Sequence, residues 1–532
     1  MEKEASTNHL EAKTAQVEFL EEARAAAERE RSMTLMAAIY RYPKAVGWSI
    51  LLSTAIVMEG YDLVLLPNFF AHPRFQQRYG TLQSDGTYAI SAPWRSGLTN
   101  GANVGEIIGL QLSGIVQDRF GYRKTILGAL TLIIGYIFIV FFAINLPMLL
   151  AGEILCGVCW GVFQTLTTAY ASEVCPVALR AYLTTYVNLC WVFGQFIASG
   201  VLRGVLTLDS EWAYRIPFAI QWFWPVPLII GCFFAPESPW WSVRRGKFEK
   251  AKHDLRRLTS SLETDADLNQ TIAMMRYTND LELDTVAGCS YWDCFKGVNL
   301  RRTELVCITW LIQNVCGTTL GNYSTNFYES AGLPASDSFD LTMIQYALGA
   351  VGTICSWFVM IYLGRRTIYL YGLVILGALL FVIGFSSLAP DHPSRDWGIG
   401  SMLIVFTFVY DLSVGPVCYS LVAELSSTRL RAKTIVLARN VYNVGGIIVN
   451  ILSNYQLTTT AWNWGAKTGF FWGVSCVLCV IWVFFRLPEP KGRTFAELDI
   501  LFEKGVSARK FKETTVDITE TSDRESGQKE TI

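Results

Sequence analysis

Apolar runs of about twenty residues recur along the whole chain, each long enough to cross a hydrocarbon layer of about 30 Å as a helix. Within a bilayer every backbone N–H and C=O needs a partner inside the protein, so such runs fold as bundled helices and exclude open sheets. The stretch from Ile126 to Ile144 is one example. Composition agrees, since 52% of the 532 residues are hydrophobic, 17% are charged, and the charges fall in blocks. The formal net charge of −1 singles out no partner. No basic patch interleaved with aromatics points to nucleic acid.

Twelve spans are read, at 46–66, 94–117, 125–145, 149–170, 181–202 and 215–235, then 304–327, 341–363, 366–388, 399–422, 432–453 and 468–487. They are called helices 1 to 12. The expected organisation is an N-terminal segment 1–45, a six-helix bundle 46–235, a linker 236–303 with short helices, a second six-helix bundle 304–487 and a tail 488–532. The linker is rich in Arg244, Arg245, Lys247, Lys250, Lys252, Arg256, Arg257, Arg301 and Arg302, which the positive-inside rule places in the cytoplasm with both termini. Residues 1–40 read as a polar Ala/Glu/Arg-rich helix, and from about 505 the chain has little to bury and is expected to be disordered. The charged N-terminus has no apolar core of a cleaved leader, so helix 1 itself would direct insertion into the membrane.

The 13 cysteines lie mostly within the apolar runs. Without a histidine or a second C-x-x-C beside them, the pairs Cys156/Cys159 and Cys476/Cys479 read as packing residues, and neither a metal site nor a disulfide framework is expected. No Walker phosphate loop is present, and no cofactor or enzymatic chemistry is implied.

Internal similarity supports a duplicated carrier. GIVQDRFGYRK after helix 2 is echoed by VMIYLGRRTIY after helix 8, and SEVCPVALR after helix 4 by AELSSTRLR after helix 10. Such repeats let two bundles rock about a central site and expose it to each side in turn.

Ionisable residues within the spans need a reason to be there, because a charge at the bilayer centre costs about 2.5–3.5 kcal/mol even on the lenient insertion scale. Glu59 and Asp62 share a face of helix 1; Glu106 lies in helix 2, Glu153 in helix 4 and Arg439 in helix 11. Clustered carboxylates compete for negative charge, so one can take a proton near neutral pH and release it when access or pairing changes. Arg439, from the other half, is the expected positive partner of Glu59, Asp62 or Glu106. The alternative is that these groups snorkel to the interface.

Several motifs in order, GYD at Gly60–Asp62, G-x-x-x-D-R-x-G-x-R-K at Gly114–Lys124, E-x-x-P-x-x-x-R at Glu173–Arg180, PESPWW from Pro236, GRR from Gly364 and PEPKGRTF from Pro488, resemble the sugar porters of the major facilitator superfamily. The resemblance runs from about Val46 to Glu503. The segments MEGYDLVLLPNFFAHPRFQQRYG and LIQNVCGTTLGNYSTNFYESAG are similar to fungal maltose and general α-glucoside permeases. It implies an all-α membrane protein of the major facilitator fold, with twelve helices in two pseudo-symmetric bundles. The implied function is import of an α-glucoside disaccharide with a proton, at the plasma membrane, by a monomer in the lipid bilayer. A passive hexose facilitator and a non-transporting sugar sensor on the same fold are the alternatives.

The resemblance also assigns residues. Asp62 is the implied proton-coupling group, although Glu153 stands where relatives usually place an arginine. Asn188 matches a helix-5 glutamine that contacts sugar, with Gln195 two turns further on the same face. Gln313 and Asn314 match a pair of helix-7 glutamines, with Thr318, Thr319 and Asn322 beyond, and Tyr419 takes the place of a helix-10 tryptophan. Asn440 and Asn443 on helix 11 add amides suited to sugar hydroxyls, or to joining helices. Gly114, Asp118, Arg119, Gly121, Arg123, Glu173 and Arg180 in one half, with Arg365, Arg366, Glu424 and Arg431 in the other, form the expected cytoplasmic gate of ion pairs. Relatives carry an acid where this chain has Ile361, so the second-half network is expected to be weaker.

Overall fold

The computed structural model describes residues 19–514, apart from 20, 31, 84–85, 287–289, 391, 428–429, 492 and 494. Most of the tail expected to be irregular, and the side chain of Arg431, lie outside the described residues.

Ten helices among the described residues are long and apolar enough to cross a membrane. They are helix 1 (Pro43–Phe69), helix 3 (Tyr122–Phe141), helix 4 (Leu146–Val174), helix 5 (Ala178–Val205), helix 6 (Trp212–Phe234), helix 8 (Ala335–Tyr362), helix 9 (Arg365–Ser386), helix 10 (Pro393–Leu425), helix 11 (Lys433–Leu457) and helix 12 (Gly465–Arg486). Two expected spans fall short for physical reasons. Helix 2 (Ala92–Phe120) is long but carries Asn100, Asn103, Glu106 and Gln117. Helix 7 is broken into Gly297–Val315, Thr319–Asn322 and Ser324–Ser330.

Each break has a local cause. In helix 7 the chain turns at Gly317, whose φ of 99° suits only glycine, and Thr318 Oγ1 donates to the freed carbonyl of Gln313. Helix 10 breaks at Ser413, which leaves helical geometry at φ −124° and ψ −78° while its hydroxyl returns to Val409 O; Pro416 follows one turn into the new segment.

The chain forms two compact units. One comprises Met1–Gly60, Val104–Gly194 and Phe218–Gly288; the other comprises Tyr61–Asn103, Gln195–Pro217 and Cys289–Ile532. In the first, the linker folds into helices Pro239–Arg244, Phe248–Leu258 and Asp265–Val286 around Val243, Ala251 and Met275. The N-terminal segment docks there, interrupted at residues 33–34: Arg29 pairs with Asp267, and Arg41, at the end of helix Leu35–Arg41, meets Glu263 at 2.9 Å. In the second, helix Phe495–Glu503 and a turn at Ala508–Lys510 follow helix 12. Arg302 holds this segment by pairing with Asp499 and lying 4.7 Å over the ring of Phe502. Past residue 505 the described chain buries Ala508 and Phe511.

Helices 2 and 4 cross at glycines. A Cβ on Gly161 would stand 3.0 Å from the Gly109 Cα and 2.8 Å from Leu110 N, and one on Gly105 would stand 2.8 Å from the Gly157 Cα. Small residues at this spacing let two spanning backbones touch. Gly161→Leu is expected to lower the thermal unfolding temperature of the detergent-solubilised protein, with an overpacking cost of about 1–3 kcal/mol. An unchanged melting curve would contradict the close crossing.

Candidate functional site

In the first unit the polar interior begins at Glu59, Glu106 and Glu153, all of them buried. Gln164 of helix 4 donates its amide to Glu59 Oε1, an interaction for which sequence spacing offers no signal beyond an amide in an apolar span. Gly60 lets helix 1 press on helix 5, where a Cβ would stand 2.8 Å from the Trp191 Cα. Asn188 is also buried in this unit.

Ion pairs and caps gather at the ends of helices 2 to 4. Gly121 turns the chain at φ 88° into helix 3, leaving the first backbone N–H groups of that helix without intrahelical acceptors. Glu237, from the PESPWW motif, fills that role by accepting from Tyr122 N at 2.8 Å and Arg123 N at 3.3 Å. Glu173 accepts from Arg244 at 2.8 Å and from Ser238 Oγ. The carbonyl of Asp118 accepts from Trp241 Nε1 at 3.1 Å and from Arg245, while Arg119 and Arg123 lie over Phe120 and Phe233. Of the predicted gate residues, Glu173 thus finds its cation on the linker. A Cβ on Gly114 would meet nothing within 4 Å, and Arg180 is half-buried near the start of helix 5.

The second unit repeats the cap. Glu489, from PEPKGRTF, accepts from Arg365 N at 2.9 Å and so closes the start of helix 9 as Glu237 closes helix 3. Arg365 pairs with Glu424 at 3.3 Å, and Arg366 donates to Phe484 O at 2.9 Å. At Ile361, where relatives carry an acid, Lys491 instead donates to the main-chain carbonyl at 2.7 Å.

Candidate sugar and proton groups of the second unit lie on helices 1, 7, 10 and 11. Asp62 and Arg439 are buried, and Arg439 lies 4.6 Å over the ring of Tyr442 and 5.4 Å over that of Trp310. Trp310 also meets Tyr419 edge to face at 5.8 Å. Gln313 donates to Gly415 O at 2.9 Å across the helix-10 break, and Asn314 to Tyr442 O at 2.7 Å. Thr318 is half-buried and Thr319 buried; Asn322 is the one exposed residue between Thr319 and Tyr328. Asn443 is fully buried with neither amide atom hydrogen-bonded among the described residues, and Asn440 Oδ1 is in the same state. Gln195 is half-buried on helix 5. The amides expected to face sugar therefore divide: Gln313 and Asn314 tie helices together, while Asn440 and Asn443 keep hydrogen-bonding capacity.

One polar cluster went unread in the sequence. Arg95, buried at the start of helix 2, donates to Ile90 O at 3.1 Å, Asn326 Oδ1 at 3.4 Å and Phe70 O at 3.4 Å, and feels the charge of Glu329. Asn326 donates in turn to Pro67 O. Asn454 of helix 11 donates to Tyr323 OH at 2.8 Å and Thr99 Oγ1 at 3.2 Å, and Asn450 reaches Asn100 at 3.2 Å. The cluster sews helices 1 and 2 to helices 7 and 11.

Helices broken beside buried carboxylates and amides, with capped and paired helix ends, are the architecture of a membrane carrier. The fold is matched by the inward-open structure of the xylose transporter XylE from E. coli, with a TM-score of 0.70 and 19% identity over 86% of this chain and 99% of that one. A family model described as "Sugar (and other) transporter" matches residues 48–502, so the chain belongs to the sugar transporter family. It is 45% identical over 506 residues to a maltose permease of Saccharomyces cerevisiae, covering 94% of this chain and 82% of the relative. An α-glucosides permease of the same yeast is 47% identical, with 93% and 84% covered.

Burial raises the pKa of the Glu237 carboxyl, opposed by the N–H groups of Ser238, Tyr122 and Arg123. A carboxyl whose folded value is raised contributes stability that is complete below its unfolded pKa and is lost as pH rises through the folded value. Wild-type thermal stability should fall along that window by a component that Glu237→Gln lacks. Parallel stability–pH curves for the two proteins would refute the assignment.

Proposed function

We propose that the chain is a secondary active carrier that imports an α-glucoside of the maltose class together with a proton. The observation that carries the coupling is the set of acidic side chains, Glu59, Asp62, Glu106 and Glu153, buried within membrane-spanning helices. A carboxylate in that setting is tolerated where it is paired, hydrogen-bonded or protonated, and a change among those states is what couples proton movement to a conformational cycle. The names of the similar yeast permeases support the substrate class. In this reading Asp62 and Glu106 load the proton and Arg439 supplies the positive charge that replaces it on release. Amides of helices 5, 7 and 11, with the ring of Tyr419, take the sugar.

The halves 46–235 and 304–487 then act as the two rocking bundles, with both termini and the linker in the cytoplasm and a monomer in the plasma membrane as the working unit. The ion-paired helix ends around Glu173, Arg365 and Glu424 then form the cytoplasmic gate. The cluster around Arg95 and Asn454 forms the opposite, external gate.

Two measurements test this. In cells lacking their own α-glucoside carriers, Asp62→Asn or Glu106→Gln should abolish the alkalinisation of the medium that maltose induces in wild type; unaltered proton uptake refutes the assignment. A competition panel of unlabelled sugars against maltose uptake defines the substrate class. For the external gate, Arg95→Met removes three hydrogen bonds of about 0.5–1.5 kcal/mol each. Labelling of a Ser96→Cys reporter by a membrane-impermeant maleimide should rise several-fold. No rise would mean that Arg95 does not hold the gate.

A further inference from the structure

Helix 10 carries a carboxylate that none of these roles uses. Asp411 is 6% exposed and stands within the span, two residues before the break at Ser413. Helix 8 crosses it at Gly352, where a Cβ would lie 3.4 Å from the Asp411 Cβ and 2.8 Å from Phe408 O. The carboxylate itself extends along its own helix past the break, since a Cβ on Gly415 would lie 3.6 Å from Asp411 Oδ1. Helix 9 sets Gly372 against Ser413, and helix 7 sets Gly321 against Thr407 one turn before Asp411.

The titratable groups that face Asp411 are the phenols of Tyr346 on helix 8 and Tyr410 on its own helix, and neither is a cation. Among the described residues no ion pair or hydrogen bond holds its carboxylate. The acids of helices 1, 2 and 4 differ in this respect at Glu59, which accepts from Gln164. An ionised carboxylate enclosed by glycine backbone and phenol rings, with no positive group beside it, is strongly disfavoured against its protonated form.

We infer that Asp411 is a second proton-binding site of this carrier, set in the second half of the chain beside the helix-10 break. The break links that site to the sugar groups. Gln313, a candidate sugar amide, donates to Gly415 O across it, so a sugar hydroxyl that engages Gln313 frees the Gly415 carbonyl and lets the segment after Ser413 reorient. Reorientation opens the carboxyl to water and allows its proton to leave. The inference rests on the coupled-transport reading for its role in the cycle, but the bound proton itself can be detected without transport.

The test is infrared difference spectroscopy of the purified full-length carrier in lipid nanodiscs, with and without maltose, on wild type, Asp411→Asn and Asp411→Glu. The expected result is a C=O stretching band of a protonated carboxyl that shifts with maltose, vanishes in Asp411→Asn and returns at a displaced frequency in Asp411→Glu. Maltose affinity in Asp411→Asn should lose part of its dependence on pH. A band that persists unchanged in Asp411→Asn overturns the proposal. So does an equal loss of maltose affinity at every pH, which would make Asp411 a sugar ligand. Loss of the band in Asp411→Asn supports the proton site even where maltose drives no proton uptake, and that second outcome counts against coupled transport alone.

Discussion

An acidic group inside a membrane-spanning helix survives only if the fold gives its charge an answer, and the interior of this carrier is arranged around that demand. Glu59 is answered by the amide of Gln164. Helix 2 reaches helix 4 closely enough to bury Glu106 and Glu153 because both helices offer glycine at the crossing. A larger residue there would part the backbones and admit lipid or water to carboxylates that depend on exclusion of both. The glycine crossing and the buried acids are thus one feature, packing on one side and electrostatics on the other.

The same economy governs the helix ends. Starting a spanning helix leaves backbone N–H groups exposed to a region poor in water, and a carboxylate supplied from elsewhere in the chain satisfies them while complementing the positive end of the helix dipole. Glu237 does this for helix 3 and Glu489 for helix 9, at matching places in the two repeats. Both motifs follow the sixth helix of their half, so each half closes its last segment onto its own third helix. In the proposed rocking mechanism such caps hold each bundle together, and the pairs Glu173 with Arg244 and Arg365 with Glu424 are the contacts that exchange.

Much of this was legible in the sequence, and what was not has identifiable causes. Spans and repeats are local in sequence and carry a strong hydropathy signal, so helices 1, 3, 4 and 8 emerged from it directly. Helices 2 and 7 were legible only as positions in a pattern of twelve, since polar residues in one and glycine in the other reduce their apolar character. The acids Glu59, Asp62, Glu106 and Glu153 stood out because each interrupts an apolar run. Asp411 interrupts one too, but it lies within YDLSVGPVCYS, where the glycine and proline of the motif draw attention to the residues after the break.

Contacts between distant segments were beyond reach for a different reason. Arg95 and Asn326 are separated by 231 positions and Asn454 and Thr99 by 355, and nothing in the spacing of either pair encodes its partner. The sequence singled out neither residue: Arg95 stands at the start of the expected span 94–117, and Asn454 just past the expected span 432–453. Geometry gives them meaning, because a buried guanidinium shares its donors among the ends of helices 1 and 7 and the approach to helix 2, and can be released only if all three separate. As the proposed external gate, a cluster of that kind breaks as a unit, which suits an element that has to be either shut or open and spend little time between.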